Sequence, residues 1–139
     1  MAVLGVVAAR GGSKGFPGKN LAELGGRPLV AWSVLAAKAA GTLTETVVST
    51  DDDAIARAAE AAGGLVPFRR PPELARDESG VVEVLQHAVR WWEAARKDTA
   101  ELVVLLQASS PLRRPADIDA AVRLALDSGC DSAQTVALD

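Results

Sequence analysis

A chain of 139 residues with 49% hydrophobic and 24% charged residues has the size and composition of one soluble globular domain. It can bury about two-thirds of its unfolded surface without a disulfide or metal staple, and its apolar content excludes intrinsic disorder. A net charge of −3 argues against binding nucleic acid or an anionic membrane through bulk charge, and runs such as Leu102–Leu106 are far too short to cross a bilayer.

Met1–Ala9 is apolar, lacks a preceding basic segment and runs directly into Arg10, so it reads as a strand rather than a signal peptide. Within it, Val3–Ala8 is the buried run. Arg10 to Arg27 is glycine-rich and without helical spacing. Pro28 then opens a helix through Ala40, with Gly41 just past its end. The β-branched run Thr46–Thr50 predicts a second strand. Asp51 or Asp52 caps a helix to about Ala62, stopped by Gly63-Gly64.

Leu65–Phe68 reads as a third short strand and Arg69–Glu78 as a loop. Ser79 or Gly80 starts a helix to about Arg96, whose Val81, Val84, Leu85, Ala88, Val89 and Trp92 fall on one stripe. Leu102–Leu106 is continuous enough for a strand buried on both faces. Gln107–Arg114 is a loop, Pro115 starts a helix to Ser128, and Ser132–Leu138 reads as a fifth strand. Alternating β and α elements predict an α/β fold of three layers, α/β/α, around a mostly parallel sheet. The chain reads as one domain, 1–139. It ends at Asp139 straight after a predicted strand, as a fragment truncated at its C-terminus would.

In such sheets ligands bind beyond the carboxyl ends of the strands. The loop after the first strand reads Ala9-Arg10-Gly11-Gly12-Ser13-Lys14-Gly15-Phe16-Pro17-Gly18-Lys19-Asn20-Leu21. Its glycines let backbone N–H groups approach an anion closely, and Arg10, Lys14 and Lys19 precede the next acid, Glu23. This imbalance points to a polyphosphate; the alternative is a solvated turn with incidental charges. The Walker A pattern fails at Ser13 and Asn20, and G-x-G-x-x-G is absent.

These residues resemble the signature loop of the acylneuraminate cytidylyltransferases, the CMP-sialic acid synthetases. Val48-Ser-Thr-Asp-Asp52, Arg70-Pro-Pro-Glu-Leu-Ala75 with Asp77, and Leu105-Leu-Gln-Ala-Ser-Ser-Pro-Leu-Arg113 agree in order. The related Kdo cytidylyltransferases have a similar first loop, usually without the Gly-Gly and Lys-Asn pairs. The resemblance implies a Rossmann-like nucleotidyltransferase fold (nucleotide-diphospho-sugar transferase) and a reaction. CTP and an acidic nine-carbon sugar give a CMP-sugar and pyrophosphate with Mg²⁺, the anomeric hydroxyl attacking the α-phosphate.

It further implies that Arg10 and Lys19 hold the triphosphate and stabilise departing pyrophosphate. Gly11, Gly12 and Ser13 would supply backbone donors, Asn20 would contact nucleotide, Arg70 would lie near the cytidine with its neighbour Arg69 as surface charge, and Gln107 would face the sugar. Ala108 stands where proline often follows that glutamine, and only Ser79-Gly80 remains of a serine-rich nucleotide-contacting stretch. By the same resemblance, the metal-binding aspartates, much of the sugar pocket and the segment for a homodimer lie beyond residue 139.

Other residues have plainer readings. Asp51-Asp52-Asp53 could hold a metal, but capping of the following helix is favoured at a strand-to-helix junction. Asp117 and Asp119 suit the first turn of a helix. His87, the single histidine, reads as a partly exposed helix-face residue, Trp92 as core and Trp91 as its edge. A single cysteine, Cys130, cannot form an internal disulfide and suits the cytoplasm. The alternatives are a CTP-binding fragment without catalysis and a cytidylyltransferase for another acidic sugar such as Kdo. A Rossmann-type dehydrogenase ranks third, because its fingerprint and the acid in ribose register are both missing.

Overall fold

Among the described residues three parallel strands form the main sheet, and the most apolar of the early runs lies at its centre. In the computed structural model, which describes residues 2–9, 23–71, 80–107 and 114–128, β1 (Ala2–Ala8) is buried from Ala2 to Val7. It hydrogen-bonds on both edges. The chain continues through a two-residue ribbon, β2 (Glu23–Leu24) and β3 (Arg27–Pro28), into α1 (Leu29–Ala39). β4 (Glu45–Ser49), α2 (Asp53–Ala61), α3 (Val81–Arg96), β5 (Ala100–Gln107) and α4 (Pro115–Ser128) follow. The strand order is β4-β1-β5, with Ala8 level with Ser49 on one side and Gln107 on the other.

Side-chain alternation along β1 builds two cores. Val3 and Val7 join Val48, Leu106, Val30, Val34, Ile55, Ile118 and Val122, so α1, α2 and α4 share one face. Ala2, Leu4 and Val6 join Val47, Ala88 and Trp92, which places α3 on the other. Right-handed crossovers place α1 and α3 on opposite faces: α1 leads from β1 towards β4, while α3 leads back across the sheet to β5. Gly5 is needed where strand and neighbour approach closely, because a Cβ there would sit 2.7 Å from Thr46 Oγ1.

Several boundaries follow the sequence. Asp52 caps α2 by accepting from the amides of Ala54 and Ile55 at 2.8 and 3.0 Å. The same helix ends with the paired bonds Gly63 N to Glu60 O and Gly64 N to Ala59 O, with Gly63 at φ 92°. Trp92 is buried and Trp91 half-buried.

Three readings change. The strand expected at Leu65–Phe68 is reduced to a single parallel bridge between Val47 and Leu65, since Pro67 has no N–H to extend the ladder. Leu102–Leu105 are half-buried rather than covered on both faces, because β5 is the outermost strand among the described residues. Within the glycine-rich stretch given no element of its own, Gly25 and Gly26 adopt φ 61° and 84° and close the β2–β3 ribbon. The expected strand Ser132–Leu138 lies outside the described residues, as does Cys130.

Candidate functional site at the carboxyl edge of the sheet

The strand order reverses at β1, with β4 on one side and β5 on the other, and it is beyond the carboxyl ends at such a reversal that an open α/β sheet has its crevice. At that edge Ala8, the last residue of β1, lies level with the exposed Gln107 that ends β5. The basic glycine loop departs from Ala9. Arg10, Gly11, Gly12, Ser13, Lys19 and Asn20 themselves lie outside the described residues.

Arg70 is 5% exposed, so its charge requires hydrogen-bonded company. Its Nε donates to Ser49 Oγ at 3.1 Å and its Nη2 to the Ser49 carbonyl at 2.8 Å. The Arg70 amide donates to the Thr50 carbonyl at 2.7 Å. Ser49 O also accepts from the amide of Ala9 at 3.1 Å. One carbonyl at the end of β4 therefore joins the Arg70 guanidinium to the residue from which the basic loop departs. Gln107 stands on the far side of β1, two strand spacings or about 10 Å across the edge.

The neighbouring acids are engaged in structural contacts. Asp52 is the α2 cap, and its carboxylate occupies two of the helix's first amides. Asp53 accepts from Arg69 Nε at 2.7 Å, and that hydrogen bond, with the nearby guanidinium charge, holds its carboxyl below the ordinary range. Arg69 is thus a surface partner of α2, whereas Arg70 turns inward. Among the described residues no group of three or more acidic, histidine or cysteine side chains could hold a metal ion.

Elsewhere, His87 is half-buried with its ring edge-on to Phe68 at 4.5 Å. Asp117 pairs with Arg114, as first-turn acids do. Asp119 does more than its helix position suggested: it accepts from the amides of Gly41 and Thr42 and from the Thr42 hydroxyl, tying α4 to the turn after α1. Sequence reasoning also passed over Ser49 as a site residue. The available signal was two hydroxyl residues, Ser49-Thr50, ending an apolar strand where full burial favours carbon; both are 0% exposed.

A cytidylyltransferase family model matches residues 4–138, nearly the entire chain. The chain belongs to the cytidylyltransferase family. Among relatives, the CMP-N,N'-diacetyllegionaminic acid synthase of Legionella pneumophila is 39% identical over 125 residues, covering 89% of this chain and 53% of that protein. N-acylneuraminate cytidylyltransferase A of Danio rerio is 34% identical over 131 residues, covering 94% and 29%. The 3-deoxy-manno-octulosonate cytidylyltransferase of Anaeromyxobacter dehalogenans is 40% identical over 119 residues, covering 84% and 44%.

A solved CMP:2-keto-3-deoxy-manno-octonic acid synthetase complexed with CTP superimposes with a TM-score of 0.71 at 27% identity, covering 94% of this chain and 49% of that one. The fold is therefore the Rossmann-like α/β architecture of the nucleotidyltransferases. This cytidylyltransferase chain spans about half the length, or less, of the relatives named above. No helix among the described residues is long and apolar enough to cross a membrane.

Proposed function

We propose that this chain is the CTP-binding part of an enzyme that transfers CMP to the anomeric hydroxyl of a sialic-acid-like nonulosonic acid, releasing pyrophosphate. The observation that carries this reading is the cytidylyltransferase match over residues 4–138, with the basic glycine loop leaving β1 at the sheet's switch point. In-line phosphoryl transfer depends on positioning and charge neutralisation more than on covalent catalysis, so cations and backbone donors are the chemistry required.

In this proposal Arg10 and Lys19 bind the triphosphate and stabilise the pyrophosphate leaving group. Gly11, Gly12 and Ser13 donate backbone N–H bonds, Asn20 contacts the nucleotide, Arg70 serves the cytidine side, and Gln107 serves the sugar. Mg²⁺ belongs to the proposal through the family. The described residues do not offer its ligand set, so no step here is routed through it. In the same proposal much of the sugar pocket, the metal ligands and the homodimer contacts come from residues outside 1–139. A cytoplasmic enzyme without nucleic-acid or membrane partners is the corresponding cellular reading.

A second sugar, Kdo, is supported by the 40% identical relative and by the superimposed synthetase. Pyrophosphate release from CTP, assayed in the full-length enzyme with each sugar class, separates the two. Lys19→Ala abolishes that release with either sugar; unchanged turnover would contradict the assignment.

A further inference from the structure

The buried hydroxyl of Ser49 lies outside the set of residues given a role above, and its surroundings single it out. It is 0% exposed, on the last residue of β4. It bonds a buried guanidinium that belongs to a different segment of the chain, twenty-one residues later. The same residue's carbonyl accepts both from that guanidinium and from Ala9, immediately before the basic loop. Two parallel contacts, Nε to Oγ and Nη2 to O, fix the guanidinium plane as well as its position, as a single bond would not.

We infer that Ser49 is a positioning residue for nucleotide binding, acting through Arg70 by fixing its guanidinium against the carboxyl end of β1. This rests on the CTP-binding role proposed above. Ser49 itself need not touch the ligand. Without its hydroxyl, the carbonyl contact alone remains between Ser49 and the guanidinium, and the paired geometry that fixes its plane is lost.

The test is CTP affinity of the purified chain in a double-mutant cycle of Ser49→Ala and Arg70→Lys, with thermal unfolding measured alongside. Losing one hydrogen bond to a charged group predicts about tenfold weaker CTP binding for Ser49→Ala. In the Arg70→Lys background the same change has almost no effect, because the lysine cannot use the paired acceptors. Equal weakening in both backgrounds, or unchanged affinity in the wild-type background, overturns the inference. If Ser49→Ala does not fold, Ser49→Thr and Ser49→Val give the same comparison, since they differ only in the hydroxyl; equal CTP affinity for that pair overturns it as well. Failure of the wild-type chain to bind CTP is a different result, which removes the functional reading and this inference with it.

Discussion

At the amino ends of the strands, side chains bind one element of the core to another; at the carboxyl ends, they bind the places where loops depart. Glu45, at the start of β4, accepts from Trp92 Nε1 at 2.8 Å and from Arg96 Nε and Nη2 at 2.9 and 2.8 Å, clamping α3 to the sheet. Asp119 clamps α4 to the α1–β4 turn, and Thr44 exchanges two bonds with Val3. At the opposite edge the Ser49 carbonyl joins Ala9 to Arg70, and the Thr50 carbonyl takes the Arg70 amide. One end fastens elements of the core together. The other arranges backbone and charge beneath the crevice, which is how a rigid sheet serves chemistry carried by its loops.

The sharpest way to break this division is Trp92→Ala. Removing an indole that is 2% exposed is expected to cost about 3–5 kcal/mol of folding stability, read by denaturant unfolding, while the folded molecules retain their CTP affinity. Altered affinity at matched folding would show that the two edges are not separable. Gly26→Ala has a smaller expected cost, about 1–2 kcal/mol, because φ 84° is unfavourable for alanine although nothing lies within 4 Å of the added carbon. An unchanged unfolding midpoint would mean that the β2–β3 turn relaxes freely.

Glu45→Gln weakens the clamp on α3 and is expected to lower Tm by a few degrees. The hydrogen bond from Arg96 holds the Glu45 carboxyl below its ordinary value, against the upward push of burial. Its contribution is therefore complete above the ordinary carboxylate range and is lost as pH falls through the lowered value. The Tm–pH curve of the variant should be flatter there; identical curves would contradict the assignment. Asp119→Asn gives the smallest change of the same sign, since the bonds from Thr42 and Gly41 lower this half-buried carboxyl too. Neither substitution should alter CTP affinity.

Much of the architecture was legible because it depends on local rules. Val3–Ala8 announces a buried strand, Asp52 and Gly63-Gly64 mark both ends of α2, and Gly80 to Arg96 carries a clear helical stripe. What escaped depends on neighbours distant in sequence. The apolar run in β5 cannot reveal that it lies at an edge of the described sheet, and Leu65–Phe68 looks like a strand until Pro67 interrupts its pairing. Gly25-Gly26 was a hairpin signal hidden among other glycines.

The candidate site divides in the same way. The resemblance pointed to Arg70 and Gln107 and left Arg69 as surface charge, but it could not disclose that Arg70 turns inward onto Ser49 or that Arg69 pairs with Asp53. Their different burial is decided by the strand end against which the chain returns.

The central claim is tested most directly by titrating the chain with CTP, then UTP, ATP and NADH, each with Mg²⁺, and following thermal unfolding. CTP at about a hundred times its dissociation constant should stabilise the fold by roughly 2.7 kcal/mol, with little response to the other three. A shift with NADH in preference to CTP, or no shift with any nucleotide, would contradict a CTP site at the carboxyl edge of this sheet.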